Sequence, residues 1–136
     1  MQRILVNTDT IRGSDLALGQ AAEFSRTHKA TVLVLHVEPL LDAREIFDPG
    51  DQPGAAADYL EALPGRYPEL NLSTRQVTGD TASAICEVAA QERADLIVVS
   101  NSYRYGRRRR LRGSLPRAIL RDAPCSVLLV EPRSTP

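Results

Sequence analysis

Six arginines are concentrated between residues 100 and 113, in the segment SNSYRYGRRRRLRG. The segment follows an apolar run at residues 96–99 and precedes Gly113-Ser114, which is typical of a loop between a buried strand and a helix capped by Ser114. The first N–H groups of a helix lack partners within it and lie at the positive end of its dipole. The sequence therefore predicts an anion site at this junction. The candidate phosphate donors are Arg104, Arg107, Arg108, Arg109, Arg110 and Arg112.

The arginine-rich loop has more than one interpretation. Residues 104–136 carry 9 basic and 2 acidic side chains and residues 1–103 carry 8 basic and 15 acidic ones, although the whole chain has zero formal charge. This polarity favours an anionic ligand or partner. Tyr103 and Tyr105 among the arginines favour RNA, because unpaired bases stack on aromatic rings. A solvated loop, or pairing with the acidic segment 42–51 of a neighbouring molecule, also fits the sequence.

Polar residues directly follow two of the predicted strands. Asn7, Thr8 and Asp9 follow an apolar run at residues 4–6, and Ser100 follows the run at residues 96–99. Ligands of open parallel sheets bind outside the carboxyl ends of the strands, so these residues are candidates for a binding site. Asp9 can accept a hydrogen bond from a ribose hydroxyl or a ring N–H, coordinate Mg²⁺, or cap the turn into the next helix.

Residue types suited to catalysis are scarce. The phosphate-loop pattern G-x-x-x-x-G-K-[ST] is absent, and Lys29, the only lysine, lies at the end of a helical pattern. His28 and His36 fit no Ser-His-Asp or Cys-His arrangement, and His36 is predicted to be a packed or hydrogen-bonded strand residue. Cys86 and Cys125 lack the spacing of a zinc site or disulfide framework, which predicts reduced, buried thiols. We therefore predict a binding protein with no catalytic residue and no metal site, while weak ATP hydrolysis stays open.

Strand and helix patterns alternate along the whole chain. Apolar runs predict five strands, at residues 4–6, 31–37, 72–77, 96–99 and 126–130, and four helices are predicted to begin near residues 14, 55, 81 and 115. The second helix is expected to end at Leu63, before Pro64, Gly65 and Pro68. Residues 38–54 predict an irregular surface excursion, and the alternating third strand predicts a sheet edge. The pattern predicts one α/β domain over residues 1–136, with a parallel sheet covered by helices on both faces.

The N-terminus and the apolar segments indicate the compartment. The first apolar run is interrupted at Asn7, before it reaches the length of a signal-peptide core. No segment approaches the length of a membrane span. We therefore expect a cytoplasmic protein that makes no contact with membranes.

Several segments in their order along the chain resemble the universal stress protein family. They are ILVNTD, LVLHV, TGDTASAICEVAAQERADLIVVS and a final GS helix that ends in DAPCSVLLV. The resemblance implies a Rossmann-like fold of the adenine nucleotide alpha hydrolase-like type, with a five-stranded parallel sheet of order 3-2-1-4-5. It also implies a homodimer that associates through the last strand, Ser126 to Val130, and a regulatory role in the stress response.

The resemblance also bears on nucleotide binding. ATP-binding members carry G-x2-G-x9-G-[ST] after the fourth strand, and in this chain Gly113-Ser114 match its end, whereas Ser100 and Tyr103 replace its first two glycines. Glycine allows close approach of the backbone to phosphate, so ATP binding is expected to be weak or lost. Other matched positions imply the alternative, in which ATP or AMP with Mg²⁺ binds and arginines supply the phosphate donors. Those positions are Asn7, Thr8, Asp9, Val37, Gly113, Ser114 and Leu115.

Overall fold

A five-stranded parallel sheet forms the centre of the computed structural model, which describes residues 2–8, 14–38, 55–100 and 109–130. The strands are β1 (Arg3–Asn7), β2 (Thr31–Glu38), β3 (Leu72–Thr78), β4 (Leu96–Ser100) and β5 (Ser126–Val130). Their order in the sheet is β3-β2-β1-β4-β5, which confirms the predicted order and the predicted edge position of β3. Of the predicted surface excursion at residues 38–54, Glu38 instead ends β2, and residues 39–54 lie outside the described residues.

Four helices connect the strands within the described ranges: α1 (Ser14–His28), α2 (Ala55–Arg66), α3 (Thr81–Gln91) and α4 (Arg109–Asp122). One core layer joins alternate residues of the inner strands to α1 and α2, including Val6, Leu18 and Leu63. The other joins the intervening strand residues to α3 and α4, including Leu5, Ile85 and Ile119. Because β1, β2 and β4 are covered on both sides, their aliphatic runs carry little polar alternation. Helices on both faces of the sheet are thereby confirmed.

Two predicted helix ends were wrong. Helix α2 continues through Pro64 and Gly65 to Arg66 instead of ending at Leu63. Leu60 and Leu63 are buried in the core, and Tyr67 N donates to Leu63 O at 3.2 Å, so tertiary packing and a further backbone bond outweigh the missing proline N–H. Helix α4 begins at Arg109, and not after the predicted cap at Ser114, because the arginines and the leucine that precede Gly113 are themselves good helix formers.

Asp80 is the N-terminal cap of α3. Asp80 has an extended backbone, and its carboxylate accepts a hydrogen bond from Ser83 N at 3.0 Å. This backbone bond, with a second contribution from the Ser83 side chain, lowers the pKa of Asp80. Within the described ranges, no helix combines the length and the apolar character needed to cross a membrane.

Candidate functional site

The carboxyl ends of β1 and β4 lie side by side at one edge of the sheet. The two strands are parallel and paired, with Ile4 opposite Leu96 and Val6 opposite Val98. The sheet order shows that the winding reverses here, since β2 and β3 lie on one side of β1 whereas β4 and β5 lie on the other. Ligands of such sheets bind at this reversal point. The two strands end at Asn7 and Ser100, both of which the sequence analysis named.

Asn7 and Ser100 are buried polar residues with unpaired atoms. Asn7 is 2% exposed and Ser100 is 9% exposed. Among the described residues, neither Asn7 Oδ1 nor Ser100 Oγ has a hydrogen-bond partner. A buried polar atom without a partner costs about 1–3 kcal/mol, and native proteins contain few of them. Two such atoms on adjacent strand ends make this edge of the sheet the candidate ligand site.

Thr8 differs from these two residues because its polar groups form hydrogen bonds within the protein. Its backbone N–H donates to Leu35 O at 2.9 Å, and its hydroxyl donates to the same oxygen at 3.3 Å. Thr8 is also fully enclosed, at 2% exposure. Its side chain therefore fixes the end of β1 against β2.

His36 completes this contact between the ends of β1 and β2. Its Nδ1 lies 3.1 Å from Thr8 O and 3.5 Å from Thr8 Oγ1, and its Nε2 lies 3.1 Å from Glu38 Oε1. The predicted packed, hydrogen-bonded histidine is confirmed, but its contact with Thr8 was missed. The signal that could have revealed it is the pairing of β1 with β2, which sets Asn7 opposite Leu35 and so brings the next residues of the two strands together.

Val37 and Leu115, two further predicted site residues, belong to the core layer of α3 and α4. Val37 is buried near the end of β2, opposite Val77 of β3. Leu115 is half-buried and packs against the same layer as Ile119. Both residues therefore lie in an apolar layer that continues to the carboxyl edge of the sheet.

Helix α4 begins earlier in the chain than Gly113-Ser114, where the sequence predicted a helix start that faces the phosphate. Gly113 and Ser114 lie inside α4, so the amides without helical partners belong to the turn that begins at Arg109. The predicted loop at residues 100–113 is correspondingly wrong at its end, where the chain is helical from Arg109 onward. Arg110 and Arg112 lie in that helical part. The candidates Asp9, Tyr103, Arg104, Arg107 and Arg108 lie outside the described residues.

The two cysteines are free and half-buried, not fully buried as predicted. Burial raises the pKa of both thiols, and nearby charge adds to the effect, from Asp122 at Cys86 and from Asp95 at Cys125. The neutral thiol is therefore the favoured form of each. In the described part of the chain, no cluster of three or more His, Cys, Asp or Glu residues could hold a metal ion.

Comparison with known proteins identifies the family. The model of the universal stress protein family matches residues 1–131. The chain belongs to the universal stress protein family. A search of the curated proteins finds no match to this member of the family.

Solved structures of universal stress proteins have the same fold. UspA from Lactobacillus plantarum is 24% identical, with a TM-score of 0.73 over 95% of this chain and 97% of that one. A universal stress protein in complex with cAMP is 24% identical, with a TM-score of 0.71 over 95% of this chain and 96% of that one. A family protein from Arabidopsis thaliana with AMP bound is 19% identical, with a TM-score of 0.68 over 98% of this chain and 93% of that one.

Proposed function

We propose that this universal stress protein binds an adenine mononucleotide at the carboxyl ends of β1 and β4, and that it acts in the cytoplasm as a non-enzymatic regulator in the stress response. The observation that carries the proposal is the pair of buried, unpaired polar atoms, Asn7 Oδ1 and Ser100 Oγ, at the reversal point of the sheet. A nucleoside offers hydroxyl and amino groups that fit such atoms. The whole chain acts as one domain in this proposal.

The nucleotides bound by related structures support this ligand class. One similar universal stress protein was solved with cAMP and another with AMP. The same sheet edge in this chain offers the polar side chains of Asn7 and Ser100 and the apolar layer of Val37 and Leu115, while Thr8 holds the end of β1 in place. Asp9 follows Thr8 directly in the sequence and joins the proposed site as an acceptor for the nucleoside.

A monophosphate suits this chain better than a triphosphate. Ser100 and Tyr103 stand at the sequence positions where ATP-binding relatives keep glycine, and any side chain larger than that of glycine hinders the close approach of the backbone to the phosphates. Gly113 and Ser114 lie within α4 instead of at its first turn, which removes the helix start expected there. The arginines of the segment are then the proposed phosphate donors, and we propose no role for Mg²⁺.

Binding without turnover is supported by the state of the nucleophilic and basic side chains. His36 is held by Thr8 O and Glu38, and His28 lies on the surface, with Nδ1 3.1 Å from Phe24 O. Both thiols have raised pKa values because of burial. A general base must reach the proton that it removes, and these groups are engaged elsewhere or protonated.

We also propose a homodimer that forms through β5. This strand lies at the edge of the sheet with only β4 as a neighbour, and its four aliphatic residues, 127–130, are half-buried. Leu120 of the neighbouring helix α4 is 61% exposed. An aliphatic edge strand of this kind pairs readily with another chain. Leu128→Lys should therefore yield a monomer in light-scattering measurements, whereas Leu16→Lys on α1 should leave the dimer intact. A dimeric Leu128→Lys protein would refute the β5 interface.

Calorimetric titration tests the proposed ligand. We expect saturable binding of AMP at one site per chain and weaker binding of ATP. Tyr103→Gly should strengthen ATP binding by removing the side chain from the phosphate turn, and Tyr105→Gly is the matched control in the same segment, for which no change is expected. Absence of AMP binding at millimolar concentration would contradict the proposal.

The charge at the start of α4 favours a second candidate function, the binding of a polyanion such as single-stranded RNA. The first turn of α4 contains no acidic residue, and its sequence begins with Arg109 and Arg110. Cationic side chains at the positive end of a helix repel each other and the dipole, and an anion would relieve that repulsion. If this candidate is correct, RNA affinity should fall steeply as salt rises, and it should be lost when residues 107–110 are neutralised.

A further inference from the structure

We propose that His36 makes the binding of an anionic ligand at the carboxyl edge of the sheet depend on pH. The neutral ring holds the end of β1 through Thr8, and the protonated ring also pairs with Glu38 and cancels its charge. An anionic ligand is then bound more tightly as the pH falls. This inference rests on the proposed function, because it takes the mononucleotide proposed there as its ligand and adds a regulation by protons.

Both ring nitrogens of His36 face oxygen atoms that accept hydrogen bonds. Nδ1 lies 3.1 Å from Thr8 O and 3.5 Å from Thr8 Oγ1, and Nε2 lies 3.1 Å from Glu38 Oε1. The Thr8 hydroxyl donates its own proton to Leu35 O, so its oxygen is an acceptor toward the ring. A carbonyl and an ionised carboxylate cannot donate, and a neutral imidazole has one N–H whereas the imidazolium has two. The ring therefore donates to Thr8 and Glu38 together in its protonated form.

Burial decides which of the two bonds the neutral ring keeps. Thr8 is 2% exposed, whereas the side chain of Glu38 is 49% exposed. A buried carbonyl without a donor is costly, but an exposed carboxylate can turn to water. The neutral ring therefore keeps its proton on Nδ1, toward Thr8 O, and presents the lone pair of Nε2 to Glu38. Two lone pairs repel each other, so Glu38 leaves the ring and carries an uncompensated negative charge.

This change of charge takes place close to the proposed ligand. Strand β2 pairs directly with β1, and neighbouring strands lie about 4.8 Å apart. A ligand over the ends of β1 and β4 is therefore on the order of 10 Å from the His36 ring. One unit of charge at that distance changes the affinity for an anion about two- to fourfold at low ionic strength. Protonation of His36 removes one unit of negative charge from this edge, so it should strengthen binding by that factor.

The other ionisable groups on this face of the sheet include one further histidine. On β3 the residue opposite His36 is Gln76, which is uncharged, and His36 lies toward the layer of α1 and α2, where Val34 packs. The charged and titratable residues of these two helices are Asp15, Glu23, Arg26, His28, Asp58, Tyr59, Glu61 and Arg66. Of these residue types, histidine is the one that ordinarily changes charge between about pH 5 and 8.

His28 provides a matched control, because the chain contains two histidines and the other is His36. It is the last residue of α1, which precedes the start of β2, so it lies at the amino end of the sheet. Its side chain is exposed, with Nδ1 3.1 Å from Phe24 O. Removal of its charge should therefore leave the pH dependence of binding at the carboxyl end unchanged.

The first measurement is nitrogen-15 NMR of the histidine rings in the protein without ligand, with the two signals assigned from His28→Asn and His36→Asn. We expect both nitrogens of His36 to carry protons at about pH 5 and Nδ1 alone to carry one at about pH 8. A neutral ring with its proton on Nε2 would leave Thr8 O without a donor from the ring and would overturn the inference.

The second measurement compares AMP affinities of the wild-type protein, His36→Asn and His28→Asn at about pH 8 and about pH 5.5. The amide of His36→Asn offers an N–H group near the position of Nδ1, but it does not titrate. The wild-type affinity divided by that of His36→Asn should rise about two- to fourfold as the pH falls, while the same ratio for His28→Asn stays constant. Because each ratio is taken at one pH, titration of the AMP phosphate cancels.

Adenosine separates charge from position, because it lacks the phosphate. Its ratio between wild type and His36→Asn should not change with pH. A constant ratio for AMP, or an equal rise for adenosine, would show that the charge of His36 does not act on an anionic ligand, and the inference would be wrong. Failure of AMP to bind the wild-type protein at both pH values would instead refute the proposed function, and the NMR measurement would still decide the contacts of the His36 ring.

Discussion

The two ends of the same sheet differ in whether their buried polar side chains all find hydrogen-bond partners within the described residues. At the amino end, Arg3 N donates to Asp95 Oδ2 at 2.8 Å, Asp95 N donates to Arg3 O at 2.8 Å, and Arg3 Nη1 contacts Glu92 O at 3.0 Å. Arg3 Nη1 also donates to Glu92 Oε1 at 3.4 Å, and Arg75 Nη1 donates to Glu92 Oε2 at 3.3 Å. At the carboxyl end, Asn7 Oδ1 and Ser100 Oγ have no partner among the described residues. The polar groups of the amino end serve the fold, whereas these two at the carboxyl end form no hydrogen bond within the described residues, which is why we propose a ligand for them.

The cavity at the amino end of the sheet is consistent with a structural role for that end. A cavity of about 30 Å³ lies there, between Arg3, Thr31, Ser73 and Glu92. That volume accommodates a water molecule but not a nucleotide. Ion pairs and backbone bonds around it hold the strands in register, and none of its lining residues belongs to the proposed binding site.

The largest expected effect is on AMP affinity, which should fall for a variant at the carboxyl end of the sheet and stay unchanged for a variant at the amino end. The double variant Asn7→Ala/Ser100→Ala should bind AMP about 25-fold more weakly if two independent hydrogen bonds are lost, or about 2 kcal/mol. Glu92→Gln, at the amino end, should bind AMP as the wild-type protein does. Equilibrium titration of the two proteins checks both results, and a comparable loss in Glu92→Gln would remove the distinction between the ends.

The next largest expected effect is a loss of stability when the Asp80 cap of α3 is removed. Asp80 follows β3 at the carboxyl end, but its carboxylate is engaged by Ser83 N. Asp80→Ala should lower the free energy of unfolding by about 1 kcal/mol, because the amide of the first helical turn loses its acceptor. Asp80→Asn keeps an acceptor and should lose much less. Urea denaturation measures both, and equal losses would show that the charge, and not the cap geometry, carries the effect.

The Asp80 carboxylate also predicts how the free energy of unfolding depends on pH. The folded-state pKa of Asp80 is lowered, so its stabilisation is present above the unfolded value, about 3.9, and is lost as the pH falls through the folded value. Asp80→Asn should therefore lose less stability than wild type between pH 5 and about pH 2. Parallel loss in the two proteins over that interval would show that other carboxyl groups govern acid denaturation.

The smallest effect concerns the ion pairs of the amino end. Glu92→Gln weakens the contacts with Arg3 and Arg75, whose side chains are 53% and 38% exposed, so we expect a loss of about 0.5–1 kcal/mol. The difference from wild type should shrink at high salt because exposed charges are screened. A difference that stays constant from low to high salt would indicate that hydrogen bonds, and not charge, stabilise this end.

The elements with a strong local signal could be predicted from the sequence. The aliphatic runs of β1, β2 and β4 and the alternating pattern of β3 followed from burial on two faces or on one. The order of the strands depended on the family resemblance, since local patterns do not say which strands pair.

The remaining features depend on contacts between distant parts of the chain. Ser114 and Pro116 have the residue types of a helix start, but the helix formers before them extend α4 back to Arg109. Helix α2 passes Pro64 because Leu63 is held in the core. The unpaired state of Asn7 and Ser100 depends on what surrounds each atom after folding, which residue type alone does not reveal.

The most direct test of the account is a crystal structure of the protein with AMP. We predict that the nucleoside lies over the ends of β1 and β4, with donor groups within hydrogen-bond distance of Asn7 Oδ1 and Ser100 Oγ. AMP bound at another place, or bound at this edge with its phosphate against Asn7, would contradict it.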